Sequence, residues 1–463
     1  MRFALILSCL LAGTAQAEPR LIVPADLTAP APAPIVLEGA APGATVTITT
    51  ERPSSDGTKT YFASASFVAD AAGRVDTAKA APSNGAYSGV EPLGLFWAAK
   101  ATPRKSDVPH GEVQVTAVAG AATTTALTRS EPDPTGLRVS TDTPFPGAVW
   151  ARPKGPGRHP VVIVLGGSEG GSSTARDIAP LFAARGYATL GLPYYDPGYD
   201  PTDRVAGLPH SFTDIPVDRL AAVRAWLATR ADADVDQLGI WGVSKGAEFA
   251  LIAASHYSWI GAVVAVVPSD VVWEGWGGAG PTTASFALDG KPLAFQPYGG
   301  MDVELAKAAR GEAMDLRRAH LAGRAAYPNR LAAARIPIER FKGALLLVAG
   351  GHDQIWPSAE MAANIVAARQ SANLTTEVIS AFDANHFLGS PGTDPVDDSV
   401  TPGANGTVIA HTRAAAWQAT FALFDHALSP NQSGSINEAL PYRTLEKETC
   451  YAGSRCMFAQ TRR

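Results

Sequence analysis

The stretch Leu238-Gly239-Ile240-Trp241-Gly242-Val243-Ser244-Lys245-Gly246-Ala247-Glu248 reads as an apolar strand running into G-x-S-x-G, and Phe249-Ala250-Leu251-Ile252-Ala253-Ala254 continues it as a helix. Such a strand-to-helix turn is so tight that the residues flanking the serine can carry almost no side chain, and the serine is held in a strained backbone conformation with its hydroxyl presented. Gly242 and Gly246 meet that demand. A bare G-x-S-x-G arises often by chance; its place between a buried strand and a helix is what gives it meaning here. A serine hydroxyl is a poor nucleophile at neutral pH unless a base takes its proton, so a histidine and an orienting carboxylate must lie elsewhere in the chain.

Outward from this stretch, short buried apolar runs alternate with amphipathic helices. Strands are expected over 161–165, 188–192, 238–241, 262–267, 345–349 and 376–379, with helices over 216–230, 358–369 and 410–428. This pattern predicts a mostly parallel sheet covered on both faces, an α/β fold of the α/β-hydrolase type. In that fold the order is serine, acid, histidine, with the last two on loops after later strands. The run Ala344-Leu345-Leu346-Leu347-Val348-Ala349 ends in Gly350-Gly351-His352-Asp353, which makes Asp353 the candidate acid. Phe382-Asp383-Ala384-Asn385-His386 puts His386 where the base belongs. Asp270 and Asp383 are rival acids; the other histidines are expected to be structural. An oxyanion needs donors, and one is the backbone N–H of Lys245, at the head of a helix. The other is expected from Gly166-Gly167-Ser168-Glu169-Gly170-Gly171, either Gly167 or Ser168. That loop lacks the G-K-[ST] ending and the spacing of a phosphate or dinucleotide cradle. Lys245 and Glu248 are expected to contact solvent or form a local ion pair.

Roughly seventy residues separate the strands ending near 267 and starting near 345, far more than a crossover needs. A lid-like insertion over about 268–340 is expected, rich in Trp and Gly at its start and helical over 302–325. It is where substrate selection is expected.

Upstream, 20–129 alternates β-branched runs such as Ala44-Thr45-Val46-Thr47-Ile48-Thr49-Thr50 with Gly, Pro and Ser clusters, the pattern of a small immunoglobulin-like β-sandwich. Pro30-Ala31-Pro32-Ala33-Pro34 is expected to form an extended edge. The turn residues Ser130-Glu131-Pro132-Asp133-Pro134-Thr135-Gly136 mark the boundary, giving a sandwich over 18–135 and a catalytic domain over 136–463. Residues 1–17 have the charged, apolar and small-residue order of a secretory signal peptide ending in Ala15-Gln16-Ala17. The apolar run is much shorter than the ~20 residues a bilayer span needs. A secreted or periplasmic protein without a stable membrane anchor is therefore expected, with Cys450 and Cys456 free to join across a short loop or to remain thiols. Neither spacing nor partners suggest a metal site, and no cofactor is implied. A net charge of −5 without long runs of one sign excludes a nucleic-acid footprint and favours a small-molecule partner.

The segment Gly242-Val243-Ser244-Lys245-Gly246-Ala247-Glu248 resembles the nucleophile region of the acyl-CoA thioesterase and bile acid-CoA:amino acid N-acyltransferase family. Gly85-Ala86-Tyr87-Ser88-Gly89-Val90-Glu91-Pro92-Leu93-Gly94-Leu95-Phe96-Trp97 resembles a signature near the end of that family's N-terminal sandwich. The resemblance implies an acyl-enzyme on Ser244 with Asp353 and His386, and its serine implies water as acceptor, since the amino-acid-conjugating members tend to carry cysteine. Ser168 and Glu169 depart from the family's uninterrupted glycine run. Acyl thioester hydrolysis is the expected function. The alternatives are an exported carboxylesterase on non-CoA esters and an acyl-CoA:amino acid N-acyltransferase.

Overall fold

The computed structural model describes residues 18–428 apart from 200, 202, 203, 313 and 397–402. The leader-like stretch 1–17 and both Cys450 and Cys456 lie outside the described residues. The chain divides into two compact units between Ser130 and Glu131.

The first unit is built from a six-stranded and a three-stranded antiparallel sheet. The strands Thr45–Pro53, Thr60–Val68 and Glu112–Ala119 alternate buried and less buried residues with period two, and Val46, Ile48, Ala65, Phe67, Val113 and Val115 share one core with Ile35 and Leu37. Residues 30–34 are in no strand; they lead into the strand Val36–Glu38 rather than forming an edge themselves. The segment 85–97 closes this core. It folds into a short buried helix, Gly94–Trp97, anchored by Thr50 Oγ1 donating to the Leu95 carbonyl at 2.7 Å. Gly94 is held to glycine by the Tyr87 ring, which a Cβ would strike.

The second unit contains an eight-stranded sheet. Its strands are β1 Leu137–Ser140, β2 Val149–Pro153, β3 His159–Leu165, β4 Ala188–Gly191, β5 Ala233–Val243, β6 Ala262–Val266, β7 Ala344–Gly350 and β8 Glu377–Ala381. They lie in the order β1-β2-β4-β3-β5-β6-β7-β8, with the first two pairings antiparallel and the rest parallel. This is the α/β-hydrolase arrangement, with a near-continuous apolar composition in the central strands because both faces are covered. Helices α1 Ser173–Ala183, α2 Arg219–Ala228, α3 Lys245–His256, α4 Met301–Ala309, α5 Leu316–Ala326, α6 Ser358–Ser371 and α7 Gly406–Ala427 complete it. Phe182 of α1 and Trp417, Phe421 and Phe424 of α7 pack with Trp241 on one face of the sheet. Leu220, Val223, Phe249 and Ile365 of α2, α3 and α6 cluster with Ile163, Ile240 and Leu347 on the other.

Two elements differ from expectation. β5 starts five residues before 238, and its register against β3 shifts between Pro160 and Val161, so that Asp234 and Asp236 interrupt an apolar pattern that the ladder nevertheless spans. The helix expected over 302–325 is two helices. Asp315 ends the gap between them by accepting the Arg318 backbone N–H at 2.9 Å, which caps α5.

Candidate active site

Ser244 is the single residue between β5 and α3, with φ 56° and ψ −119°. Its backbone N–H donates to the Val266 carbonyl at 2.9 Å, and its own carbonyl accepts from Ala247 and Glu248, so the strained conformation is held from both sides. A Cβ on Gly242 would collide with the Gly246 carbonyl, and one on Gly246 with the carbonyls of Leu165 and Gly166. Both glycines are therefore required by backbone-to-backbone contact.

The candidate acid and base lie on neighbouring loops. Gly350 and Gly351 allow the loop after β7 to lie against the backbone of 382–385, and the N–H groups of Gly351 and His352 donate to the carbonyls of Ala381 and Ala384, each at 3.0 Å. Asp353 is fully buried, and its Oδ1 accepts the backbone N–H groups of Ile355 (2.9 Å) and Trp356 (3.1 Å). His386 Nδ1 lies 2.9 and 2.8 Å from the two Asp353 carboxylate oxygens, and His386 Nε2 lies 2.9 Å from Ser244 Oγ. A carboxylate at Nδ1 accepts only from a protonated nitrogen, which leaves Nε2 as the acceptor for the serine hydroxyl. Arg413 of α7 donates to the Phe387 carbonyl at 2.7 Å and steadies the histidine loop.

The rival acids are engaged elsewhere. Asp270 pairs with Arg324 and accepts from Asn364, and Asp383 lies 3.3 Å from His352. Lys245 opens α3, where the first N–H groups have no intrahelical acceptor. In the loop after β3, Gly167 lies against Ser244; an added Cβ there would come within 3.1 Å of the Ser244 Cβ. Its N–H, however, donates to Glu169 Oε1 at 2.8 Å, and the same oxygen accepts from Thr174 Oγ1 at 2.8 Å. Among the described residues Ser168 N–H has no such acceptor. Buried Tyr194 donates to the Gly166 carbonyl at 2.7 Å, which ties the loop to the segment after β4.

Several residues near the site were not singled out by the sequence. The insertion brings in His320, 3% exposed, whose ring meets Trp273 edge-on at 4.5 Å and Trp356 at 5.6 Å; Trp356 in turn meets His386 at 5.7 Å. Burial lowers the His320 pKa to about 3, so the ring is neutral and its Nδ1–H donates to the Leu316 carbonyl at 2.7 Å. Arg317 of the insertion donates to the Asp353 carbonyl at 3.0 Å. Lys245 and Glu248 form a local ion pair of 2.6 Å, but it is buried rather than in solvent. A lone histidine on a helix and an i,i+3 Lys/Glu pair carry no signal of burial, since the insertion that covers them is distant in sequence. Among the described residues no group of His, Cys, Asp and Glu is arranged to hold a metal, and no helix is long and apolar enough to cross a membrane.

Residues 30–130 match the family described as acyl-CoA thioester hydrolase/BAAT N-terminal region, and residues 222–430 match that described as BAAT/acyl-CoA thioester hydrolase C terminal. Residues 147–286 also match the dienelactone hydrolase family. The chain is similar to the peroxisomal succinyl-coenzyme A thioesterase of Mus musculus, with 26% identity across 87% of this chain and 94% of the relative. It is also similar to acyl-coenzyme A thioesterase 1 of Homo sapiens, at 26% identity over 78% of this chain and 83% of the relative. A third relative is the mitochondrial acyl-coenzyme A thioesterase 2 of Homo sapiens, at 25% identity over 78% and 72%. These relatives correct the expectation of a secreted or periplasmic protein: one is named peroxisomal and another mitochondrial, and neither compartment lies outside the cell or in a periplasm. With both of its regions matched in their proper order, the chain belongs to the acyl-CoA thioesterase/BAAT family.

Proposed function

We propose that this protein is a serine hydrolase that cleaves acyl-CoA thioesters through an acyl-enzyme on Ser244. The observation that carries this reading is the unbroken hydrogen-bonded series from Ser244 Oγ through His386 to buried Asp353. The relatives named as acyl-coenzyme A thioesterases supply the leaving group.

In this mechanism His386 Nε2 takes the Ser244 proton as Oγ attacks the thioester carbonyl, and Asp353 stabilises the imidazolium that forms. The negative charge on the former carbonyl oxygen is met by the Lys245 N–H and the α3 dipole. Of the two candidates in the Gly-rich loop, Ser168 N–H is the second donor, because Gly167 N–H is already committed to the Glu169 carboxylate. Collapse of the tetrahedral intermediate breaks the carbon–sulfur bond, and His386 returns its proton to the departing thiolate. Water, deprotonated by the same histidine, then attacks the ester on Ser244 and releases the carboxylic acid and free serine. An oxygen ester on serine is less readily captured by an amine than a thioester on cysteine, so hydrolysis is the outcome.

The test is incubation of the protein with acyl-CoA, with and without glycine or taurine, following free thiol and acyl product. Expected is release of CoA and free acid, lost in Ser244→Ala by a factor of at least about 10⁴. Rapid formation of an acyl-amide would replace the hydrolase reading with amino-acid conjugation, and hydrolysis surviving Ser244→Ala would remove the nucleophile.

A further inference from the structure

Lys245 and Glu248 lie on the first turn of α3 with side chains 3% and 0% exposed. Lys245 Nζ donates to Glu248 Oε2 at 2.6 Å and to Ser285 Oγ at 2.8 Å. The other Glu248 oxygen accepts the Trp273 backbone N–H at 3.0 Å, and the Ser285 hydroxyl donates to the Trp273 carbonyl at 2.6 Å. The ammonium also faces the rings of Phe212, Trp276 and Phe286, at 5.2, 5.6 and 5.4 Å from their centroids. Burial pushes the lysine pKa down and the glutamate up, while each partner opposes the other's shift. The three ring faces and two acceptors favour a charged lysine.

A dry ion pair is a weak source of stability compared with apolar side chains of similar volume, so its presence calls for another account. What the pair connects supplies it. Ser285, Trp273, Trp276 and Phe286 all belong to the insertion, whereas Lys245 adjoins the nucleophile. From Trp273 the packing continues edge to face through His320 and Trp356 to His386. Main-chain bonds join 276–287 to 212–217, the residue after Ser244 ties the same segment to the nucleophile helix, and the insertion packs at its other side against the ring that abuts the base.

We infer that the side chain of Lys245 is a positioning residue which, with Glu248, clamps segment 273–288 of the insertion onto the nucleophile helix and so sets the wall that receives the acyl chain. This inference rests on the proposed acyl-enzyme at Ser244. It assigns the insertion's selectivity to a particular polar contact, separate from the proton transfer.

Two measurements test it on the full-length protein, comparing Lys245→Met, Ser285→Ala and Glu248→Gln with the parent. The first is the ratio of kcat/KM for p-nitrophenyl butyrate and p-nitrophenyl dodecanoate. A purely structural loss lowers the active fraction and leaves this ratio intact. Expected is a shift of at least about fivefold in Lys245→Met and Ser285→Ala, and a shift in the same direction in Glu248→Gln, whose amide oxygen accepts only one of the two donors while its NH2 faces the other. Parallel loss on both esters in all variants would overturn the inference. The second is amide hydrogen exchange, which needs no turnover. Segment 273–288 is expected to exchange at least about tenfold faster in Lys245→Met and faster than the parent in Glu248→Gln, where one of the two donors loses its acceptor; unchanged exchange in Lys245→Met overturns the clamp. Because neither readout uses CoA, a protein that fails on acyl-CoA but passes here loses its proposed substrate and keeps its clamp.

Discussion

The nucleophile elbow and the insertion that flanks it differ in how much side chains contribute to holding them. Around Ser244 the chain is held by main-chain contacts: Gly242 against Gly246, Gly246 against Leu165 and Gly166, and the Ser244 N–H on Val266. The insertion is tied by main-chain bonds as well, Phe212 with Trp276 and Ile215 with Ser285 among them, but it also depends on side chains that reach across long sequence separations, including Lys245 to Ser285, Gln296 to Gly323 and Arg324 to Asp270. The difference teaches where substitution is tolerated. A backbone contact has no room for any Cβ, whereas a side-chain contact can be replaced by another of matching shape and polarity.

The comparison breaks most visibly at Gly246. Gly246→Ala drives a methyl into two carbonyls, and urea unfolding followed by circular dichroism is expected to show a loss above about 4 kcal/mol or no folded catalytic unit. A soluble variant with near-parent stability would mean that the elbow is no more rigid than the insertion. Next in size is Lys245→Met, which leaves Glu248 buried and unpaired and is expected to cost about 3 kcal/mol. The double variant Lys245→Met/Glu248→Leu removes the unpaired charge but leaves the Trp273 N–H without its acceptor, so it should recover part of that stability without recovering chain-length selectivity, which separates holding the fold from placing the wall.

A smaller effect is expected in the loop after β3, where the two modes of fixation meet. Glu169→Ala frees the Gly167 N–H and releases the tie to Thr174, and kcat is expected to fall by about tenfold, or about 1.4 kcal/mol, with KM little changed. Glu169→Gln, still able to accept both bonds, should stay near the parent. A rise in kcat for Glu169→Ala would mean instead that Gly167 N–H is the better oxyanion donor and the carboxylate an obstacle to it.

The smallest effect near neutrality is set by pH. His320 is neutral in the folded protein down to about pH 3, against 6.5 for an unperturbed histidine, so the unfolded chain binds the extra proton first as pH falls. The stability this burial contributes is complete above the unfolded value of 6.5 and is lost progressively toward pH 3. At pH 6 the loss is about 1 kcal/mol and grows by up to about 1.4 kcal/mol per further unit. Thermal unfolding from pH 7 to pH 5 should therefore fall more gently for His320→Gln than for the parent. Parallel curves would show that His320 is not what makes the insertion acid-sensitive.

The same contrast explains what was legible in the sequence. The buried strands β3, β6 and β7, the elbow, and the positions of Asp353 and His386 are set by local apolar runs, turn glycines and the order of elements, all of which survive as patterns in one dimension. The early half of β5 was hidden because Asp234 and Asp236 interrupt the apolar run; the ladder to β3 pairs Asp234 with Pro160 and then skips past Asp236 to Leu238 at the register shift. Asp315 inside 302–325 reads as an ordinary exposed helix residue until its cap on Arg318 is seen. Glu169 looked like an interruption of a glycine run, yet it is the acceptor that occupies one of the loop's own donors. Burial of Lys245 was invisible because its cover comes from residues 212, 276, 285 and 286. A short leader-like pattern, by contrast, was easy to read and pointed to a compartment that the peroxisomal and mitochondrial relatives do not support.

The contact of Gly246 with Leu165 and Gly166 has a consequence for anyone wishing to retune this site. The helix bearing one proposed oxyanion donor and the loop bearing the other are separated by nothing but the thickness of two peptide planes. Their spacing is therefore set by non-bonded contact of backbone on backbone rather than by the side chains around it. Pocket shape, chain-length preference and electrostatics remain open to substitution, but the span offered to the reacting carbonyl can be altered only by inserting, deleting or re-routing backbone.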